Sequence, residues 1–203
     1  MKIAILGATG RVGSRIADEA LRRGHAVTAI ARHAGTLAAR DRLVTRDIDA
    51  ADGPAIVGAI GGHDAMVSAM PFRLADPEAL VSLTKKAGVP RLVVVGGAGS
   101  LFVAPGMQLM DTPDFPEAYR IEAGAGRDFL SVLNQEVELD WTFVSPSALL
   151  EPGERTGRYR IGKDDLLTDA TGKSWISMED YATALVDELE TPAHSRQRFT
   201  VGY

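Results

Sequence analysis

Seven residues near the start of the chain, Gly7-Ala8-Thr9-Gly10-Arg11-Val12-Gly13, have the types and spacing to hold a phosphate. The pattern is G-x-x-G-x-x-G, set between a short apolar run and a helical stretch. One glycine permits a tight turn, a second lets the backbone approach a pyrophosphate, and the third lets helix and strand pack closely. The helix behind it turns unpaired N–H groups and the positive end of its dipole toward the ligand. No Gly-Lys-Ser/Thr follows, so this is not a kinase-type phosphate loop. The plainer reading, a tight turn with no ligand, is disfavoured by the strand before it, the helix after it and the rhythm beyond.

The second apolar run ends Ala31-Arg32-His33. Dinucleotide sites that select NAD commonly place Asp or Glu at this point to hold the ribose 2′-hydroxyl. Arg32 is instead a two-pronged partner for a phosphate, and Arg11 adds charge beside the glycine turn. The expectation is NADP, with NAD as the lesser possibility. Asp47 and Ile48, after the third run, are expected beside the adenine. Ser68, Ala69 and Met70 close the fourth run, Gly96, Gly97 and Ala98 the fifth, and Ser145, Pro146 and Ser147 the sixth. Ligands of open α/β sheets sit outside the carboxyl ends of strands, so these small residues are placed where the nicotinamide half would pass. Ser100 and Tyr119 are the candidate proton-handling residues, with Ser147 a further hydroxyl. Phe72, Leu101, Phe102 and Met107 are candidates for an apolar wall against an acceptor; core packing is the competing role for each. His25, His33, His63 and His194 show no ligand spacing, and no metal is expected.

These residues need a scaffold that brings strand ends together. Lys2–Leu6, Ala26–Ile30, Leu43–Val44, Ala65–Val67, Arg91–Val95, Trp141–Val144 and Phe199–Val201 read as strands. Their apolar runs are continuous rather than alternating, as in a parallel sheet covered on both faces. Helices are expected over Arg11–Arg23, Ala55–Ile60, Pro77–Ala87, Phe115–Asn134 (broken near Gly124 and Gly126) and Met178–Leu189, with Asp76 and Ser177 as caps. Strand and helix alternate, which predicts an α/β doubly wound fold. Residues 1–203 are read as one domain, with a substrate region formed by loops 70–76, 97–116 and 145–173.

Composition excludes other classes. Lys and Arg number 22 against 27 Asp and Glu, so no basic excess serves a nucleic-acid backbone. There is no cysteine, hence no disulfide and no thiolate nucleophile. The N-terminal apolar run is too short for a signal peptide, and no segment approaches the roughly 20 apolar residues of a membrane helix. The protein is expected in the cytoplasm, away from membranes, as a monomer or homodimer.

Taken together, Ile3–Gly10, the Val93–Ser100 run, Asp111-Thr-Pro-Asp-Phe-Pro116, Trp141–Ser147 and Arg198–Tyr203 resemble the atypical short-chain dehydrogenase/reductase superfamily. The likeness covers essentially the whole chain. It is nearest to small NAD(P)H-binding proteins described as NADH-flavin reductases, and is similar also to biliverdin/flavin reductase and NmrA-like proteins. The resemblance implies a mostly parallel Rossmann sheet of about seven strands with helices on both faces. It also implies NADPH use and reduction of flavins, quinones or related small-molecule acceptors. Standard members use Tyr-x-x-x-Lys as an acid–base dyad. Tyr119 is followed at that spacing by Ala123 and Tyr181 by Leu185, so no such dyad is expected. This weakens carbonyl redox and nucleotide-sugar-type epimerase or dehydratase chemistry. A non-catalytic, NAD(P)-sensing regulator of the NmrA type stands as the other alternative.

Overall fold

Short apolar runs pass through the middle of one eight-stranded sheet, in a computed structural model that describes residues 1–203. β1 (Lys2–Leu6), α1 (Arg11–Arg22), β2 (Ala26–Ala31), β3 (Leu43–Asp47), α2 (Gly53–Ile60), β4 (Ala65–Ser68), α3 (Pro77–Lys86) and β5 (Arg91–Val95) build the first half. β6 (Phe102–Ala104) and β7 (Met107–Gln108) form a small hairpin. Then come α4 (Arg120–Leu133), β8 (Asp140–Pro146), β9 (Leu149–Glu151), β10 (Arg160–Gly162), β11 (Trp175–Ser177), α5 (Met178–Glu190) and β12 (Gln197–Gly202). The sheet order is β10-β12-β8-β5-β4-β1-β2-β3. Every neighbouring pair is parallel except β10 with β12. The order reverses between β1 and β4, and such a switch point opens a crevice at the carboxyl ends of the strands.

The two faces of β1 explain why its sequence does not alternate. Ile3 and Ile5 enter one cluster with Ile16 and Ala20 of α1 and Leu185 of α5. Ala4 and Leu6 enter a second cluster with Ile56 and Ile60 of α2 and Leu133 of α4. Successive side chains of a strand point to opposite faces, so a strand covered on both sides is apolar throughout. The covering helices start where their caps say. Asp52, Asp76 and Ser177 accept from the backbone N–H of Ala55, Ala79 and Asp180, and Pro77 opens α3 with a fixed φ.

The fold is the doubly wound Rossmann type expected, with four differences of detail. The eighth strand, β10, lies inside the 145–173 loop and adds an antiparallel edge. β3 runs to Asp47 rather than Val44, because an edge strand can carry polar residues toward water. α4 is unbroken at Gly124 and Gly126. A Cβ on Gly126 would lie 2.8 Å from the Phe72 ring, so this glycine makes room for a packed aromatic rather than a kink. The helix begins only at Arg120, since Pro116 disfavours the α region for Phe115.

The chain between β9 and β10 is strapped across α1 and α5 by charge. The Gly153 N–H donates to Glu179 and the Gly157 N–H to Asp180, each at 2.8 Å. Arg155 donates to Glu19 of α1 at 2.9 Å through two guanidinium nitrogens, Nε and Nη2. Glu19 is 5% exposed and also accepts from Arg22 and Arg23. Burial alone would raise its carboxyl; the hydrogen bonds from Arg155, Arg22 and Arg23 outweigh that and hold it far below the usual carboxylate range.

A carboxylate lowered in the folded state gives stability that is present above its unfolded pKa and lost as pH falls through the folded one. Glu19→Ala is expected to cost about 1.5–3 kcal/mol at pH 7, because it removes charge-assisted hydrogen bonds from Arg22, Arg23 and Arg155 to one carboxylate. Below about pH 4.3, the ordinary glutamate value, the gap between wild type and variant should narrow in denaturant melts. A gap as wide at pH 3 as at pH 7 would count against the charge network.

Candidate active site

The glycine turn is built by backbone packing. Gly7 has a φ of +84°, and a Cβ there would lie 2.7 Å from the Ala69 carbonyl oxygen at the end of β4. A Cβ on Gly13 would lie 2.2 Å from the Gly7 carbonyl oxygen, so the first turn of α1 rests directly on the strand end. Ala8 is fully buried beneath this contact. The N–H groups of Gly7 and Ala8 donate to the Ile30 carbonyl, and that of Gly10 to the Gly7 carbonyl. Gly10 caps α1 without a side chain, and the N–H groups of Arg11, Val12 and Gly13 have no protein acceptor. Three aligned donors at a helix start form a phosphate cradle.

A cavity of about 780 Å³ runs from this cradle across the switch point. Gly7, Thr9 and Gly10 line one end, Arg32 and His33 one side, and Ile48, Asp49 and Ala50 the far side. Ala69, Met70 and Pro71 form its floor toward β4, and α3 closes it with Ala79, Leu80 and Leu83. Arg32 is exposed, and its guanidinium forms no hydrogen bond or ion pair within the chain. A phosphate cradle, a free cation and an apolar slot side by side suit the pyrophosphate, ribose and adenine of a dinucleotide. Asp47 does not line the slot; its carboxylate accepts from the Gly35 N–H at 2.7 Å, and Asp49 stands at the wall instead.

The other expected residues lie at the same sheet edge, on adjoining strand ends, but outside this cavity. Gly96 serves packing: a Cβ there would lie 2.5 Å from the Phe143 ring and 2.6 Å from the Val144 carbonyl oxygen. Gly97 faces Phe72, and Ala98 caps a turn through its carbonyl, which accepts from the Leu101 N–H. Ser68 and Ser145 are buried, the Ser145 hydroxyl without a partner, and Pro146 is buried beside it. The Ser147 hydroxyl donates to the Val201 carbonyl at 3.2 Å.

The structure does not assemble Ser100 and Tyr119 into one acid–base pair. Ser100 is buried, and both its hydroxyl and carbonyl oxygens accept from Arg198, which Asp164 holds in turn. Tyr119 is 64% exposed at the start of α4. Four residues on, Ala123 packs so tightly on the loop after β5 that a Cβ on Gly99 would lie 2.7 Å from it. The expectation of no Tyr-x-x-x-Lys spacing needs correction, because Tyr159 and Lys163 stand at that spacing. They flank β10, one on each side, rather than sharing one helix face. The Tyr159 hydroxyl donates to Asp187 of α5, and burial together with that bond pushes its pKa up. Tyr181 is fully buried, with its hydroxyl on the Val144 carbonyl at 2.7 Å, and burial raises it too.

The apolar wall also divides. Leu101 is core, and Phe72 stacks on Phe143 at 5.8 Å and meets Phe129 at 5.5 Å. Phe102 and Met107 stand on the β6–β7 hairpin, partly open to solvent. Sequence reasoning missed Glu122 of α4, whose carboxylate accepts from the Phe72 N–H at 2.6 Å and the Arg73 N–H at 3.4 Å. That clamp fixes the 70–76 segment at the cavity rim. No local pattern marks it, since its partners lie 50 and 49 residues away.

Comparison with known proteins places this geometry. A family model described as NAD(P)H-binding matches residues 7–192. A solved Burkholderia pseudomallei structure, provisionally described as an exported protein, is 48% identical over the whole of both chains, with a TM-score of 0.90. One from Bacteroides thetaiotaomicron, provisionally an epimerase, is 44% identical over 100% of this chain and 96% of its own, at 0.94. A Streptococcus pneumoniae structure, provisionally an NADH-flavin reductase, is 36% identical over 100% and 99%, at 0.85. The three descriptions differ while the fold does not. The cradle, the slot and the match along nearly the whole chain agree: the chain belongs to the NAD(P)H-binding family.

Proposed function

We propose that residues 1–203 act as one domain, an NADPH-dependent reductase that passes hydride to a planar, electron-poor acceptor such as a flavin or quinone. The observation that carries the reading is Arg32: an unpaired guanidinium on the cavity wall, at the strand end where NAD-selective sites hold a carboxylate. The bound cofactor would supply the hydride. The chain's own part is to grip and orient. The free N–H groups of Arg11, Val12 and Gly13 hold the pyrophosphate, Arg32 meets a 2′-phosphate, and Ile48 and Leu83 flank the adenine.

A planar acceptor takes hydride without a strong protein acid, so proximity and orientation supply most of the acceleration. This fits a chain in which Ser100 is committed to Arg198, Tyr159 to Asp187 and Tyr181 to the Val144 carbonyl. The same arrangement speaks against epimerase chemistry, which needs a positioned acid–base group beside the nicotinamide. The reaction is proposed to run in the cytoplasm on a small molecule, by a monomer or homodimer.

Titration of the purified protein with NADPH and NADH, followed by a scan of flavins, quinones and azo dyes, tests the reading. NADPH binding with acceptor-dependent oxidation supports it. Tight binding with no turnover on any acceptor would move the function to a nucleotide-sensing regulator. Arg32→Ala is expected to weaken NADPH by about 1.5–3 kcal/mol, the worth of hydrogen bonds to charged groups, and to leave NADH almost unchanged. Equal loss for both would remove the phosphate role. Ser100→Ala and Tyr119→Phe should each keep kcat within about twofold, since neither would remove a contact made only in the transition state; a hundredfold fall in either would restore it as a proton donor.

A further inference from the structure

The turn that carries Arg32 is held from the next strand. After β2, Arg32 and His33 line the cavity, and the chain enters a short 3₁₀ turn over Ala34–Thr36. Ala34 is fully buried, and the Thr36 hydroxyl donates to the His33 carbonyl at 2.7 Å. The Gly35 N–H donates to Asp47 Oδ1 at 2.7 Å. Asp47 ends β3 in register with Ala31, and the next N–H, that of Ile48, donates to the Ala31 carbonyl at 3.0 Å. The fit is close: a Cβ on Gly35 would lie 3.3 Å from Asp47 Oδ2.

Asp47 forms no ion pair, with Arg32 or any other cation. The carboxylate one strand over therefore holds a backbone amide and leaves the guanidinium free. A hydrogen bond from an amide to an ionised carboxylate is stronger than one between neutral groups. An arginine on a loose turn must lose conformational freedom when it grips a ligand, and that loss subtracts from affinity. A turn already pinned to the sheet has less freedom to lose.

We propose that Asp47 is a positioning residue for cofactor selection: it fixes the 33–36 turn so that Arg32 and His33 meet the 2′-phosphate of NADPH. The proposal rests on the reading of Arg32 as the phosphate partner. It differs from a direct adenine contact in its signature. An adenine contact is common to both cofactors, whereas a turn that aims Arg32 matters only to the one that carries the phosphate.

The experiment is a set of equilibrium titrations with NADPH and NADH on the wild type, Asp47→Ala, Asp47→Asn, Gly35→Ala, Arg32→Ala and the Arg32→Ala/Asp47→Ala double variant, with thermal melts beside each. Asp47→Ala is expected to raise the Kd for NADPH about tenfold and to hold that for NADH within about twofold. Asp47→Asn keeps an oxygen to accept from Gly35 and should restore most of the NADPH affinity. Gly35→Ala crowds the same carboxylate and should reproduce the selective loss by an independent route if Asp47→Ala proves unstable. In the double variant, loss of Asp47 should add little to loss of Arg32, because the two act through one contact. Equal loss of both cofactors in Asp47→Ala, or additive loss in the double variant, overturns the proposal. A selective effect of Arg32→Ala with none from Asp47→Ala and Gly35→Ala overturns it while leaving the phosphate role standing. No effect from Arg32→Ala removes the phosphate role and this proposal together.

Discussion

The contact between the Gly7 carbonyl and the first turn of α1 sets the geometry of the whole ligand edge. A side chain at Gly13 would sit inside that carbonyl, and one at Gly7 inside the carbonyl of Ala69. Three backbone segments, from β1, α1 and the end of β4, therefore meet with only the Ala69 methyl beside them. Their closeness puts the free N–H groups of α1 at the crevice where the strand order reverses. It also fixes the distance from the cradle to Arg32, because the N–H groups of Gly7 and Ala8 are tied to the Ile30 carbonyl two residues before it. The apolar clusters on either face exist around this junction. Ile3 and Ile5 carry it from one side and Ala4 and Leu6 from the other.

Away from the crevice, the buried charges of the fold are spent on one another. Glu19 gathers Arg22, Arg23 and Arg155, and the buried Arg91 at the start of β5 bridges Asp140 and Glu188. Breaking such buried groups strands a charge, which is why they hold the strap and the strand starts so firmly. Arg32 has no partner, and Asp47, the acid one strand away, is engaged by a backbone amide instead.

What the sequence made legible follows from range. The glycine turn, the two-faced strands and the Asp and Ser caps are local patterns, each settled by residues within one turn or one strand, and they appear where the spacing places them. The exposed place of Arg32 on the cavity wall was readable because it depends only on position at a strand end. The failures are contacts between distant segments. Nothing near Gly96 indicates that a side chain there would meet Phe143 and the Val144 carbonyl. Nothing near Ser100 announces Arg198, 98 residues away. Gly126 looked like a helix breaker because the Phe72 ring it accommodates comes from another part of the chain. Tyr159 and Lys163 show the converse: a spacing that has meaning on a helix has none on either side of a strand.

The packing of Ala123 on Gly99 bears on which side chains that helix face can accept. A tyrosine already stands four residues earlier, so one change of side chain would spell out the dyad of the wider superfamily. The longer side chain would begin from a Cβ already in contact with the loop after β5 and would have to displace that loop, which the Met110 N–H also binds at the Gly99 carbonyl. Shape therefore opposes an acid–base dyad at Tyr119 before any question of proton affinity arises.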